Sequence, residues 1–237
     1  MTNPVKNYFA ILLFVLLSGK NFGCCAVENP AKKTQWEILS ADRWRGINSE
    51  SFPSRGWIWK GNTLTILKGG KGGDIVTKEK YRNFELVLEF NLTPAANSGI
   101  KYFVELIKSP KNKSAVGIGP EYQVIDDYTH ESLKDKQYSS GSSGALYLIY
   151  EPSKDKILRP SGKWNKVSII AKGKHVEHWL NDKKILSYER GTEEFRKLVG
   201  QSKFKDVANY GEADEGYILL QEHQDEVSFR NIKIRRL

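Results

Sequence analysis

Cysteine is almost absent from this chain. Only two of its 237 residues are cysteine, Cys24 and Cys25, and they are adjacent near the N-terminus. Any domain built from the residues that follow therefore folds without an internal disulfide. A domain of about 200 residues buries enough apolar surface to be stable without such a bond.

Long apolar runs are missing after the first 26 residues, so nothing further along is apolar enough to span a bilayer. The formal charge is +9, but the basic residues are scattered, and neither a Lys/Arg-rich helix nor a recognised nucleic-acid-binding motif is present. The charge pattern thus argues against a nucleic-acid partner. The glycine-rich stretch 69–73 also lacks the Lys-Ser/Thr pair and the strand–loop–helix setting of a phosphate-binding loop.

The first 26 residues have the form of an export signal. Lys6 supplies a positive charge ahead of the apolar segment 10–17. Two kinds of processing fit: lipidation at Cys24, which follows a suitable Gly23, or ordinary cleavage after Ala26. We favour lipidation, although the residues before Gly23 depart from a strict lipobox. The prediction is an exported protein, periplasmic or anchored in the membrane through a lipid at Cys24, with a tether over 27–35.

From residue 36 onward the pattern is one of short strands separated by turns. The stretch 84–90 alternates cleanly, so Phe84, Leu86, Leu88 and Phe90 are predicted to face a core. Further strands are expected at 57–59, 63–67, 100–106, 145–150, 166–171, 175–180, 185–188, 216–221 and 227–234. One short helix is predicted near 193–199, with Thr192 as its N-cap. These elements predict a single all-β domain over 36–237, a two-sheet sandwich of jelly-roll type.

One stretch carries the candidate chemistry, the pattern Glu121-x-Gln123-x-x-Asp126. On a strand, Glu121 and Gln123 share a face because side chains alternate with period two. Asp126 is out of phase, and it would join them only if a β-bulge followed Val124. A polar loop over 127–143 comes next, and its length suits a rim or a lid over a site. The alternative, in which these residues have no catalytic role, is an edge strand with a solvated polar face.

Several short phrases occur in a characteristic order over residues 34–237. They are Phe84-Glu-Leu, Asn97-Ser-Gly-Ile, Gly119-Pro-Glu-Tyr-Gln-Val-Ile-Asp, Ser143-Gly-Ala-Leu-Tyr147, Gly162-x-Trp-Asn165, His178-Trp-Leu-Asn181, and Leu220-Gln-x-His223 followed by Val227-x-Phe-Arg-Asn-Ile232. In this order they resemble the 3-keto-disaccharide hydrolase family, whose fold is of the concanavalin-A-like lectin/glucanase type. The chain departs from the family at Lys101-Tyr102-Phe103, where many members carry an aromatic-Phe-Arg run.

The resemblance implies a carbohydrate substrate already oxidised at C3. The ketone acidifies the C2 proton, a base removes it, the C1 oxygen leaves by β-elimination, and water then adds to complete net hydrolysis. Glu121 is the candidate base, and Asp126 or His223 the candidate acid. Lys101, Gln123 or a divalent metal are the alternatives for stabilising the enolate, and no cofactor is otherwise implied. The candidate substrate-binding residues are Gln123, Lys101, Glu89, Asn97, Tyr147 and Trp179.

Two other functions fit the same residues. A laminarinase-type retaining glycosidase uses Glu-x-Asp-x-x-Glu on a bulged strand, and the spacing of Glu121, Gln123 and Asp126 is similar, although the middle acid is replaced by an amide. Retention requires two carboxyl groups roughly 5–5.5 Å apart. A glycan-binding module without catalysis is the second alternative, since aromatic side chains on a β-sandwich bind sugars.

Overall fold

The computed structural model describes Met1, residues 35–109 and residues 111–237. The predicted export signal and all but the last residue of the predicted tether lie outside these residues. From residue 35 onward the described chain forms one compact unit. Within the described ranges, no helix is both long enough and apolar enough to cross a membrane.

Fourteen strands and one α-helix make up the described fold. The strands are β1 Glu37–Ile38, β2 Trp44–Gly46, β3 Trp57–Lys60, β4 Thr63–Ile66, β5 Ile75–Thr77, β6 Phe84–Leu92, β7 Asn97–Lys108, β8 Ala115–Ile118, β9 Glu121–Ile125, β10 Asn165–Lys172, β11 His175–Leu180, β12 Lys183–Glu189, β13 Tyr217–Leu220 and β14 Val227–Arg236. The helix, α1, covers Glu193–Gln201.

The strands form two sheets. The larger, eight-stranded sheet has the order β12-β11-β10-β6-β14-β4-β3, with β1 added beside β14. The smaller, six-stranded sheet has the order β2-β5-β13-β7-β8, and β9 also pairs with β7. All pairs are antiparallel. The prediction of a two-sheet, all-β sandwich of jelly-roll type is confirmed.

The core lies between the sheets and is filled by alternate residues of each strand. Phe84, Leu86, Leu88 and Phe90 of β6 are fully buried there, as the sequence predicted. From the smaller sheet, β9 contributes Tyr122 and Val124 to the same core. The residues of opposite phase consequently point away from the core on both sheets.

The predicted helix is confirmed, and its ends follow from its sequence. The Thr192 hydroxyl accepts a hydrogen bond from the Phe195 backbone N–H, 3.1 Å away, as an N-cap does. Phe195 and Val199 bury the inner face of α1 in the core. The predicted strand at 145–150 is wrong, because this segment is a series of turns with isolated bridges at Leu146.

A buried polar network crosses the core and links the two sheets. His178 of β11 lies 2.9 Å from the Gly144 carbonyl through Nδ1 and 2.7 Å from the Tyr102 hydroxyl through Nε2. A carbonyl only accepts, so Nδ1 carries the proton and Nε2 accepts from Tyr102. The Tyr188 hydroxyl lies 2.7 Å from that of Tyr102 and extends the chain. The imidazole is therefore neutral in the fold.

This neutral histidine predicts an acid-sensitive fold. Burial lowers the pKa of His178 from 6.5 to about 4. The unfolded chain thus binds the extra proton first, and stability falls as the pH drops from 6.5 toward 4, by about 3 kcal/mol. His178→Gln, whose amide both donates and accepts, should be less stable at pH 7 but lose most of this slope in urea unfolding measured across that range. The half-buried His130 offers the matched control, since His130→Gln should keep the wild-type slope; an unchanged slope in His178→Gln would contradict the assignment.

Candidate active site

The candidate site lies on the outer face of the six-stranded sheet and is built by the pairing of β7 with β9. In this register Lys101 lies opposite Glu121, and Gly99 lies opposite Gln123. Directly paired residues point to the same side of a sheet. Lys101, Glu121 and Gln123 therefore share the face that points away from the core.

Glu121 is a buried carboxylate that rests on a glycine. Only 4% of the residue is exposed. A Cβ on Gly99 would lie 2.4 Å from Glu121 Oε1, a separation that folded proteins do not tolerate. Gly99 is thus required by a close approach of the carboxylate to the backbone.

Two neighbours fix the Glu121 side chain. Lys101 Nζ lies 3.8 Å from Glu121 Oε2. The Gln123 amide nitrogen, in the orientation that satisfies its neighbours, donates to Glu121 Oε1 at 3.1 Å and to the Ser98 carbonyl at 3.2 Å. The amide oxygen then lies toward the Asn97 side chain, 3.3 Å away. The structure therefore brings together four of the predicted site residues, Glu121, Gln123, Lys101 and Asn97.

The electrostatics favour a Glu121 carboxyl that ionises at higher pH than usual. Burial raises its pKa and is the largest effect. The ammonium groups of Lys101 and Lys203 oppose that rise, the Asp74 carboxylate adds to it, and His223 lowers the pKa slightly, but the net pKa remains raised. A carboxylate with a raised pKa is suited to act as a general base near neutral pH.

Asp74 and His223 reach this site through an ordered loop. The Asp74 carboxylate accepts the backbone N–H of Glu222 at 2.9 Å, and burial raises the pKa of Asp74. The Glu222 carboxylate in turn accepts the backbone N–H groups of Lys71 and Gly73, at 2.9 and 3.1 Å. The glycine-rich stretch 69–73 therefore wraps a carboxylate next to the site. His223, the predicted acid, is exposed and close enough to affect the pKa of Glu121.

Tyr147 and Lys203 border the same carboxylate. The Tyr147 backbone N–H donates to the Glu121 carbonyl at 3.0 Å, and Lys203 Nζ lies 4.3 Å from the centre of the Tyr147 ring. Tyr147 was among the predicted residues, whereas Lys203 and Asp74 were not. The only sequence feature that could have pointed to Asp74 is its position directly after a glycine-rich stretch. Nothing in the local sequence distinguishes Lys203 from the other surface lysines.

The sequence profile of the 3-keto-alpha-glucoside-1,2-lyase-like domain matches residues 38–235, nearly the whole described chain. The chain belongs to this family. It is accordingly a glycoside-hydrolase-like enzyme, and its predicted resemblance is confirmed.

Named relatives agree with the family. A 3-keto-disaccharide hydrolase of Bacteroides thetaiotaomicron is 32% identical over 217 residues, which are 82% of this chain and 74% of that protein. A crystal structure of a candidate glycosyl hydrolase from Parabacteroides distasonis is similar with a TM-score of 0.72 and 29% identity, covering 85% of this chain and 94% of that one. A second such structure from P. distasonis gives a TM-score of 0.58 and 25% identity, covering 82% and 99%.

The structure does not bring Asp126 to the family's candidate site. The predicted bulge is absent, since β9 pairs with β7 in unbroken register. Asp126 instead accepts hydrogen bonds from the Ala95 backbone N–H at 3.0 Å, the Ser161 hydroxyl at 2.7 Å and the Thr129 hydroxyl. Burial would raise the pKa of Asp126, but these donors together lower it. It stays ionised and fixes a turn, so it is unsuited to the role of general acid.

Glu89 and Trp179 lie on the far side of the sandwich. Their strand neighbours Leu88 and Leu180 are in the core, and both side chains therefore point outward from the eight-stranded sheet. Glu89 is ion-paired with Arg230 at 2.7 Å, and the Trp179 indole donates to Glu177 at 2.8 Å. The structure therefore does not bring these two candidate substrate-binding residues to Glu121, because the two sheets and the core separate them.

The predicted rim is anchored by a buried ion pair. Lys156 Nζ lies 2.7 Å from the Asp127 carboxylate, and both side chains are only 3% exposed. Lys156 also donates to the Ser142 hydroxyl and the Ser143 carbonyl, each at 2.8 Å. The segment that follows then pairs with β9, where the Gly144 backbone N–H donates to the Gln123 carbonyl at 2.9 Å. The loop is thus tied down at both ends beside the site.

Among the described residues, no group of three or more His, Cys, Asp or Glu side chains is arranged to hold the divalent metal ion that the resemblance left open.

The contact between Lys101 and Glu121 gives a direct test of the site electrostatics. Lys101 lowers the pKa of Glu121, so Lys101→Met should raise that pKa further, and Lys101→Arg should restore it. Carbon-13 NMR titration of the Glu121 carboxyl measures this without a substrate. Lys108→Met, at the exposed end of β7, is the matched control. A Glu121 pKa that is the same in Lys101→Met and wild type would exclude the proposed contact.

Proposed function

We propose that this enzyme cleaves 3-keto-glycosides, 3-keto-disaccharides among them, by proton abstraction, elimination and hydration. The family assignment and the name of the Bacteroides relative support the substrate class. The observation that carries the chemistry is the buried Glu121 carboxylate, with its raised pKa and an ammonium group 3.8 Å away.

The first step is removal of the C2 proton by Glu121. The C–H electron pair becomes the enolate of the neighbouring C3 ketone, and Glu121 becomes a neutral carboxylic acid. Lys101, with the Gln123 amide beside it, is placed to stabilise the negative enolate oxygen. Because the carboxylate loses its charge in this step, the Lys101 ammonium becomes free to interact with the new anion.

The second step breaks the glycosidic bond. The enolate electrons re-form the ketone, a C1–C2 double bond is made, and the C1 oxygen departs with its bonding pair. We assign the proton that this oxygen needs to His223, the predicted acid that lies near Glu121. Water then adds at C1 and gives one proton back to the His223 imidazole, and C2 regains a proton from Glu121. The sum is hydrolysis to a 3-keto sugar and the free aglycone.

The retaining-glycosidase alternative loses its basis. It requires the second carboxyl of the Glu121, Gln123, Asp126 pattern close to the first, and Asp126 is fixed in a turn by four donors. A site with a single outward carboxylate of that pattern fits proton abstraction better than double displacement.

The decisive experiment compares a 3-keto-glucoside with its unoxidised parent. Wild-type protein should cleave only the keto form, and Glu121→Gln should lose about 10²–10⁴-fold in kcat, because the amide cannot accept the proton. In D₂O the 3-keto sugar product should carry deuterium at C2 to the extent that protonated Glu121 exchanges with solvent before it returns the proton. Glu105→Gln, on the exposed part of β7, is the control and should keep full activity. Equal cleavage of the unoxidised glycoside, or full activity of Glu121→Gln, would refute the mechanism.

We also propose that the chain is exported and anchored through a lipid at Cys24. This rests on the sequence of residues 1–26, with Lys6 and the apolar segment 10–17 ahead of Gly23 and Cys24. In the native host, Cys24→Ser should move the protein from the membrane fraction to the soluble fraction, and Cys25→Ser should not. A mature N-terminus at Val27 would instead establish ordinary cleavage after Ala26.

A further inference from the structure

A hollow lies on the opposite side of the sandwich from Glu121. Its volume is about 460 Å³. It lies at the edge of β14, between the part of this strand that pairs with β4 and the part that pairs with β1. β4 pairs with Val227–Arg230 of β14, and β1 pairs with β14 from Lys233 onward. Between them the sheet is interrupted, and the hollow occupies the interruption. It is within the size range of small-ligand sites.

A β-bulge forms one wall of this hollow. The register of β14 against β6 shifts between Arg230 and Lys233. Asn231 lies in the bulge with φ 54°, the left-handed region that residues other than glycine rarely adopt. Bulges and strained residues in a central strand often serve to aim a side chain. Here the bulge turns the Asn231 amide outward, where it is exposed.

Hydrogen bonds hold the polar groups of the hollow in fixed orientations. The Asn62 amide donates to Asn231 Oδ1 at 3.0 Å, and the Asn231 amide donates to Glu89 Oε1 at 2.7 Å. Arg230 donates twice to Glu89 Oε2, at 2.9 and 2.7 Å. Each amide nitrogen keeps a second N–H, since an amide has two donors. Two ordered donors and a carboxylate therefore face one opening.

The rest of the lining is largely apolar, and most of its charged groups are paired. Trp59, held by a 2.8 Å hydrogen bond from its indole to the Gly61 carbonyl, lines the hollow with Leu39 and Ile232. Of the charged rim, Lys166 is paired with Asp182 at 2.6 Å and Glu89 with Arg230, whereas Lys233 lies over the Trp36 ring, 4.7 Å from its centre. The absence of a strong charge of one sign favours a neutral ligand with apolar faces and hydroxyl groups.

The hollow continues along the sheet. A neighbouring hollow of about 210 Å³ shares Val87 and Lys166 with it and is lined by Trp179. The two together make an extended surface, with Trp59 in its inner wall at one end and the outward Trp179 indole at the other. Such a surface fits a chain of rings better than a single one.

We propose that these two hollows form a second carbohydrate site, which binds a neutral hexose oligosaccharide through the Asn62–Asn231–Glu89 network, the outward Trp179 indole and the inner wall formed by Trp59. The site is separate from the chemistry at Glu121 and would hold an unreacted glycan against the enzyme. It also gives Glu89 and Trp179 a sugar-binding role on the face where they lie.

The test is calorimetric titration of the full chain with cellohexaose and laminarihexaose. Asn231→Gly removes the amide and keeps the left-handed backbone without strain, so the fold should survive. It should weaken binding about tenfold, while kcat/KM on a small 3-keto-glucoside stays within about twofold. Asn209→Gly, a second exposed asparagine with a positive φ of 53°, is the control and should bind as wild type does.

Several outcomes would overturn the proposal. They are the absence of binding by either hexasaccharide at millimolar concentration, binding that Asn231→Gly leaves unchanged, and concentration-dependent dimerisation that Asn231→Gly abolishes while no sugar binds. The last would assign the hollow to a second copy of the chain. Failure of the proposed chemistry is distinguishable, because it would appear as absent turnover of 3-keto substrates with hexasaccharide binding intact.

Discussion

The register between β7 and β9 is the constraint on which both the core and the site depend. It places Ile100 and Tyr122 together in the core, and Lys101 and Glu121 together on the outer face. A slip of β9 by one residue would turn Glu121 inward and Tyr122 outward, since side chains alternate with period two. Such a slip would bury a carboxylate in the core and expose an aromatic ring. The core thus enforces the register, and the register assembles the site.

Burying Glu121 costs free energy, and the surroundings show how that cost is limited. Desolvation opposes the carboxylate, which is why the net effect on its pKa is a rise. The positive charges of Lys101 and Lys203 stabilise the ionised form of Glu121 and so offset part of the desolvation cost, and the carboxylate is not neutralised outright. A base for carbon acids needs this intermediate condition. If the lysines offset the desolvation of Glu121 completely, the carboxylate would be too weak a base. Without the lysines, the carboxyl would stay protonated.

Much of the fold, but only part of the site, could be predicted from the sequence. Clean alternation identified β6 and the outward face of β9, and an N-cap identified α1, because these signals are local. The prediction of a strand at 145–150 was wrong because the apolar residues of this segment are buried from a series of turns. The prediction that a bulge brings Asp126 beside Glu121 failed because an acidic residue at this position is equally compatible with a hydrogen-bonded turn. Asp74 and Lys203 reach Glu121 from distant parts of the chain, and no local pattern announces a contact made by tertiary folding.

The sandwich also explains why one outward carboxylate of the predicted pattern is sufficient for the chemistry. Ordinary glycosidases need two carboxyl groups, because one protonates the leaving oxygen and the other stabilises or attacks the cationic sugar. A ketone at C3 makes the carboxyl that stabilises or attacks the cationic sugar unnecessary, because the charge then develops as an anion on the ketone oxygen. An anionic transition state requires cations, and the face around Glu121 carries two lysines that act on its carboxylate. The charge of the site is therefore matched to an enolate and not to an oxocarbenium ion.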